Sequence, residues 1–180
     1  LDEGTSGDSR SRNTLVCFSS GKKKGEQVKR LLPNYDVFLE QIFFQPGGKS
    51  RKINLKKFSI GPLICEDLWD ETYEEKPVLD LARQKAEVFI SISASPYYCG
   101  VAEVREKLVK RHVKATGSPF LYVNQIGGQD DLIFDGRSFF VDARGQVLFR
   151  APAFEEGLYF FDYDPGRPPL ELSLPASTST

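Results

Sequence analysis

Residues 58–67 read Phe58-Ser59-Ile60-Gly61-Pro62-Leu63-Ile64-Cys65-Glu66-Asp67, an apolar run that stops at a thiol followed by two carboxylates. A short apolar run of this kind is the pattern of a buried strand. Similar runs recur at 88–93 and 120–124, each after a stretch with helical spacing. Val78, Leu79, Leu81 and Ala82 give 75–86 an apolar helical face, and 101–116 forms a longer helix that Gly117 stops. Strand, helix, strand, helix, strand is the order of a mixed α/β layer fold. Chemistry in such folds collects where strands end and loops begin, and Cys65, Ser95 and Asn124 all stand at such ends.

Outward from this unit the signals weaken. Residues 1–13 are polar and read as a flexible lead-in, 14–18 as a short strand, and lysine-rich 21–29 as a solvated loop. Residues 31–44 are apolar and aromatic, broken by a turn at Pro33 and Asn34, and Gly47-Gly48 opens a hairpin-like connection that reaches Lys57. On the C-terminal side, 138–149 contains a hairpin about Ala143-Arg144-Gly145, and 157–163 reads as a last strand. From Pro165 the composition is that of a linker or tail. The division expected is a lead-in at 1–13, one domain at 14–164 and a tail at 165–180.

The 180 residues carry 24 Lys and Arg against 25 Asp and Glu, a net charge of -1. That balance argues against nucleic acid or a membrane surface as a partner held by bulk charge. The apolar runs are too short to span a bilayer. Three cysteines make no disulfide framework, so a reducing cytoplasm is the default setting. The single histidine, His112, excludes zinc sites built on several histidines, and its place in a helix reads as boundary packing rather than as a catalytic base. Taken alone, Cys65 is either a buried structural thiol or a nucleophile at the mouth of a cleft. Lys29 alone is a solvated lysine closing a basic run, Glu40 a surface carboxylate, and Tyr35 a packing aromatic with a polar tip. Ser95 is equally a strand-end turn before Pro96 or a pocket residue. Trp69 reads as core beside the site.

The stretch from Gly61 to Trp69 resembles the nucleophile segment of the nitrilase, or carbon-nitrogen hydrolase, superfamily. Further blocks in the same order narrow the resemblance to the glutaminase domain of glutamine-dependent NAD synthetases. They are Lys29-Arg30-Leu31-Leu32-Pro33-Asn34-Tyr35 with Val37-Phe38 and Glu40, then Ser93-Ala94-Ser95-Pro96, then Tyr122-Val123-Asn124, Gly127-Gly128-Gln129-Asp130 and Phe134-Asp135-Gly136-Arg137-Ser138. The resemblance implies an α/β fold, a nitrilase-like α-β-β-α sandwich, and hydrolysis of the glutamine side-chain amide. By it, Cys65 attacks the carboxamide, Lys29 steadies the oxyanion, and Glu40 is the carboxylate beside the lysine. Tyr35, Glu66 and Ser95 fall where the family shapes its glutamine pocket.

The same resemblance implies that ammonia passes to a synthetase domain, in cis or in trans, which amidates nicotinic acid adenine dinucleotide using ATP and Mg. The hydrolytic step itself calls for no cofactor and no metal, and a homo-oligomer is compatible with it. This chain departs from the family pattern at Leu39, Ile42 and Tyr98-Cys99. The family's general-base glutamate lies on a unit upstream of the lysine. Here 28 residues precede Lys29, and Glu3 and Glu26 sit in surroundings unlike that motif, which leads us to expect a domain incomplete at its N-terminus. The alternative is an inactive relative that keeps the fold and serves as a binding or oligomerisation module.

Overall fold

A computed structural model describes residues 10–160 and 162. In chain order its strands are β1 (Thr14–Ser19), β2 (Lys22–Val28), β3 (Ile53–Asn54), β4 (Ser59–Ile64), β5 (Val88–Ser93), β6 (Phe120–Asn124), β7 (Ile126–Gln129), β8 (Leu132–Asp135), β9 (Phe139–Val141) and β10 (Val147–Arg150). The helices are α1 (Glu40–Phe43), α2 (Pro77–Arg83) and α3 (Val101–Thr116). Six strands form one sheet in the order β10-β9-β6-β5-β4-β3. Its centre, β4-β5-β6, is parallel, while β3, β9 and β10 join antiparallel.

Alternation along the central strands assigns their faces. Leu63, Phe89, Phe120 and Tyr122 point to one side, where Val78, Leu81, Leu108, Val109 and Val113 of α2 and α3 close the main core. On α3 the buried positions are Val101, Arg105, Leu108, Val109, His112 and Val113, a single helical stripe. Gly117, at φ 68°, ends the helix in the left-handed conformation and donates its N–H to Val113 O at 2.8 Å. The sheet's other face carries Ile53 and Ile60, paired across β3 and β4, and Gly25 of β2 lies against the Ile53 side chain. The β1-β2 ribbon thus covers that face at the β3-β4 end. Helices, sheet and strand ribbon form consecutive layers of a nitrilase-like α-β-β-α sandwich.

Several expectations are met closely, among them the spans of β5, α3 and β6. Others are corrected. The lysine-rich segment is not a loop but strand β2, because Ser20 and Gly21, at φ 51° and 69°, make a two-residue turn of the kind that fits hairpin twist. Lys22, Lys23 and Lys24 remain exposed while Gln27 and Lys29 are buried. Helix α2 is shorter than 75–86, since Pro77 starts it and Lys85, at φ 59°, breaks it. The β7-β8 hairpin was not expected, its glycines and acidic turn hiding a short ladder. Residues 157–160 form no strand, and 161 and 163 lie outside the described residues, as do the 165–180 tail and 1–9 of the lead-in. Within the rest of the lead-in, Ser11 bridges Phe44, accepting from Gln45 N and donating to Phe43 O. That stretch is tied down rather than free.

Candidate active site

The parallel strands β4, β5 and β6 end on the same edge of the sheet, which brings Cys65, the Ala94-Ser95-Pro96 turn and Asn124 together. The chain leaves β4 through a tight 3-10 turn, Cys65–Leu68. Cys65 adopts φ 43°, a left-handed conformation that a non-glycine residue keeps only when its surroundings fix it. Asp67 does the fixing. It is buried, and its Oδ2 accepts from Ile64 N while Oδ1 accepts from Arg30 N and Leu31 N, all at 3.0 Å. One carboxylate thereby locks the thiol elbow and ties it to the segment that follows Lys29. Burial pushes the Asp67 carboxyl up, and its three amide donors pull it back.

Lys29 is 1% exposed. Its backbone is pinned between Asn13 O, which accepts its N–H, and Gly47 N, which donates to its carbonyl. The ammonium is met by both oxygens of Glu40, Oε1 at 2.6 Å and Oε2 at 2.7 Å. Glu40 opens α1, with its backbone N–H on Pro33 O. Burial pushes the Cys65 thiol up, against the pull of the Lys29 charge and of the Ala94 backbone N–H, while Glu66 and Glu40 add to the rise. A thiol in that state is protonated at neutral pH and needs a base to act as a nucleophile.

A cavity of about 380 Å³ opens at Cys65, walled by Tyr35, Phe38, Glu66, Trp69, Ser95, Tyr97 and Tyr98 among others. Glu66 is 4% exposed and accepts from two phenols, Tyr35 at 2.9 and 3.0 Å and Tyr73 at 2.9 Å. Burial raises its carboxyl above the ordinary value, the phenols and Lys29 opposing. Ser95 is held from both sides: its N–H donates to Asn124 Oδ1 at 2.9 Å, and its hydroxyl accepts from Arg105 Nε at 3.1 Å. Beneath the site Tyr122 is fully buried, and its phenol is pushed up to about 12 by burial and by the nearby thiol. Among the described residues no three His, Cys, Asp or Glu side chains gather as a metal site.

The six residues singled out in the sequence converge here. Cys65, Tyr35, Glu66 and Ser95 line the cavity, and Lys29 and Glu40 form the ion pair whose charges act on the thiol. His112 is packed, its Nε2 on Leu68 O at 2.7 Å, and Trp69 packs against the main core. Asp67, Tyr73 and Arg105 were missed. For Arg105 a signal existed: an arginine on the apolar stripe of a helix, four residues after Val101 and three before Leu108, must be paired if it is buried.

The sequence profile of the carbon-nitrogen hydrolase family matches residues 2–167. A glutamine-dependent NAD(+) synthetase of Synechocystis sp. is 42% identical over 159 residues, covering 84% of this chain and 28% of that protein. The solved structure of a glutamine-dependent NAD+ synthetase from Acinetobacter baumannii superposes with a TM-score of 0.78 at 34% identity, over 89% of this chain and 32% of that one. A carbon-nitrogen hydrolase from Helicobacter pylori superposes with a TM-score of 0.72 at 26% identity, over 81% and 54%. The chain therefore spans less than a third of the length of the synthetases it matches.

Proposed function

Because this chain belongs to the carbon-nitrogen hydrolase family, we propose that it hydrolyses the side-chain amide of glutamine, with Cys65 as the nucleophile. The observation that carries the reading is a thiol on a left-handed elbow, at the wall of a cavity and within the field of the buried Lys29 and its half-buried partner Glu40. Glu40 takes the thiol proton as the sulfur adds to the carboxamide carbon. Lys29 faces the oxygen that becomes anionic, where a fixed cation in a dry site acts far more strongly than in water. The proton passes to the leaving nitrogen, ammonia departs, and a thioester remains. Water, deprotonated by Glu40, then releases glutamate and restores the thiol.

Substrate selection follows from the cavity. A buried carboxylate such as Glu66 suits the α-ammonium of an amino acid, and Tyr35 and Tyr73 hold its oxygens in place. Ser95 adds a small polar group to the lining of the same cavity. The hydrolytic step uses side chains alone. ATP and Mg enter with a synthetase domain, in cis or in trans, that would use the ammonia to amidate nicotinic acid adenine dinucleotide. The free cysteines suit a reducing compartment such as the cytoplasm, and no helix among the described residues is long and apolar enough to cross a membrane.

The test is glutamine-dependent ammonia release by the chain beside its Cys65→Ala variant. Release that disappears in the variant supports the proposal. Ammonia from neither protein, with both folded by circular dichroism, overturns it and leaves a binding or oligomerisation module.

A further inference from the structure

Arg105 lies in the middle of α3, 1% exposed, and all its hydrogen-bond partners but one belong to a single turn. Its Nε donates to Ser95 Oγ at 3.1 Å, and Nη2 donates to Ser95 O at 2.7 Å and to Pro96 O at 2.9 Å. Its Nη1 donates to Asp135 Oδ1 at 2.7 Å, and both side chains of that ion pair are 1% exposed. Asp135 ends β8, and the same hairpin accepts the Tyr97 N–H at Ile133 O, 2.7 Å. Asn124 grips the turn from β6, donating from Nδ2 to Ser95 O at 3.2 Å.

Two buried charges would be an expensive way merely to fill space, because a desolvated ion pair is seldom more stabilising than apolar packing. What the guanidinium supplies instead is a planar fork that fixes three acceptors at once. Those acceptors belong to the turn at Ser95 and Pro96, which walls the same cavity as Cys65 and Glu66, and the Ala94 N–H at the start of that turn is among the groups that pull the thiol down.

We propose that Arg105, anchored by Asp135, is a positioning residue for Cys65: it sets the Ala94-Ser95-Pro96 turn at the distance from the sulfur that the reaction needs. The β7-β8 hairpin thereby acts on the thiol through Asp135, although no residue of β7 and only Leu132 of β8 borders the cavity. The inference rests on the reading of Cys65 as the nucleophile. Its measurement, however, does not require glutamine turnover.

The thiol is read directly by the pH dependence of Cys65 alkylation with iodoacetamide, located by peptide mass. The titratable groups facing the sulfur are Lys29, Glu40, Glu66, Tyr35 and Tyr122, and every variant used leaves them in place. In Arg105→Met and Asp135→Asn the turn is released and the pull of the Ala94 N–H on the thiol is lost. The alkylation midpoint moves up by about one pH unit, the equivalent of one hydrogen bond to a charged group. Alkylation near pH 7 slows by roughly three- to tenfold, the weaker figure reflecting the higher nucleophilicity of a more basic thiolate. Arg105→Lys keeps the charge beside Asp135 but not the fork, and shows a smaller shift in the same direction.

Val113→Ala, a core truncation on the same helix, serves as the control for general loosening and leaves the midpoint unmoved. An unmoved midpoint in the Arg105 and Asp135 variants overturns the proposal, as does an equal shift in Val113→Ala. Ammonia release by the unsubstituted chain is scored separately. Its failure counts against the glutaminase reading, while the thiol profile still decides the clamp.

Discussion

Glu66 is faced by two phenols, and among the described residues no cation lies within hydrogen-bond reach of it. Burial raises its carboxyl above 4.5, so the folded protein holds a proton that the unfolded chain has already released. Its contribution to stability is therefore full at low pH and declines as pH rises through the folded value. Glu66→Gln removes that decline while keeping a carbonyl oxygen for a phenol. The thermal midpoint of the variant, relative to the original, is expected to rise as the pH is raised above 4.5, measured by circular dichroism. Glutamine affinity falls in the same variant if Glu66 holds the α-ammonium. Lys29 behaves differently. Lys29→Met leaves the Glu40 carboxylate without its partner and is expected to cost about 3 kcal/mol in urea denaturation. Adding Glu40→Leu to it recovers most of that loss, since the orphaned charge is gone. The single Lys29 variant also slows Cys65 alkylation, the cation that lowers the thiol having been removed.

At the scale of elements, the parallel centre of the sheet depends on close approach. A Cβ at Gly61 of β4 would lie 2.8 Å from the Phe89 ring and 3.1 Å from the Ala86 Cβ. Gly61→Ala is therefore an overpacking change beneath the thiol elbow, expected to cost about 1–3 kcal/mol by urea denaturation and to broaden the alkylation profile of Cys65. Unchanged stability would mean that β5 can shift away from β4 without penalty. The elements also show what a one-dimensional reading can detect. Strands β5 and β6 and helix α3 were legible because their apolar spacing is clean and their ends carry turn formers. Strand β2 was not, because its lysines signal solvent. A lysine on an exposed ribbon and a lysine in a loop are equally solvated, and only the Ser20-Gly21 turn tells them apart.

At the scale of the molecule, the described residues cover the sheet face away from the helices only in part. The β1-β2 ribbon shields the β3-β4 end, while Ile92 and Val123, side by side on β5 and β6, remain 42% and 39% exposed. Such a patch contributes little to folding and binds hydrophobic dyes. Ile92→Thr combined with Val123→Thr is expected to lower the fluorescence of bound anilinonaphthalene sulfonate while shifting stability by no more than about 1 kcal/mol. A large loss of stability would show that these side chains are packed in solution.

The sequence by itself determined the alternation of strands and helices and the strand ends at Cys65, Ser95 and Asn124, since apolar periodicity and turn residues are local properties. Its blocks also singled out six residues that the fold brings together around one cavity. What it could not determine was the environment of each. Lys29 looks solvated in the chain and becomes buried only because Asn13 and Gly47 fix its backbone and Glu40, eleven residues on, neutralises it. The protonation of Cys65 and Glu66 depends on desolvation by elements far away in sequence. Asp67 and Arg105 acquire their roles from backbone groups that only the fold brings within reach. Burial and charge pairing depend on distances in space, which tertiary packing alone sets.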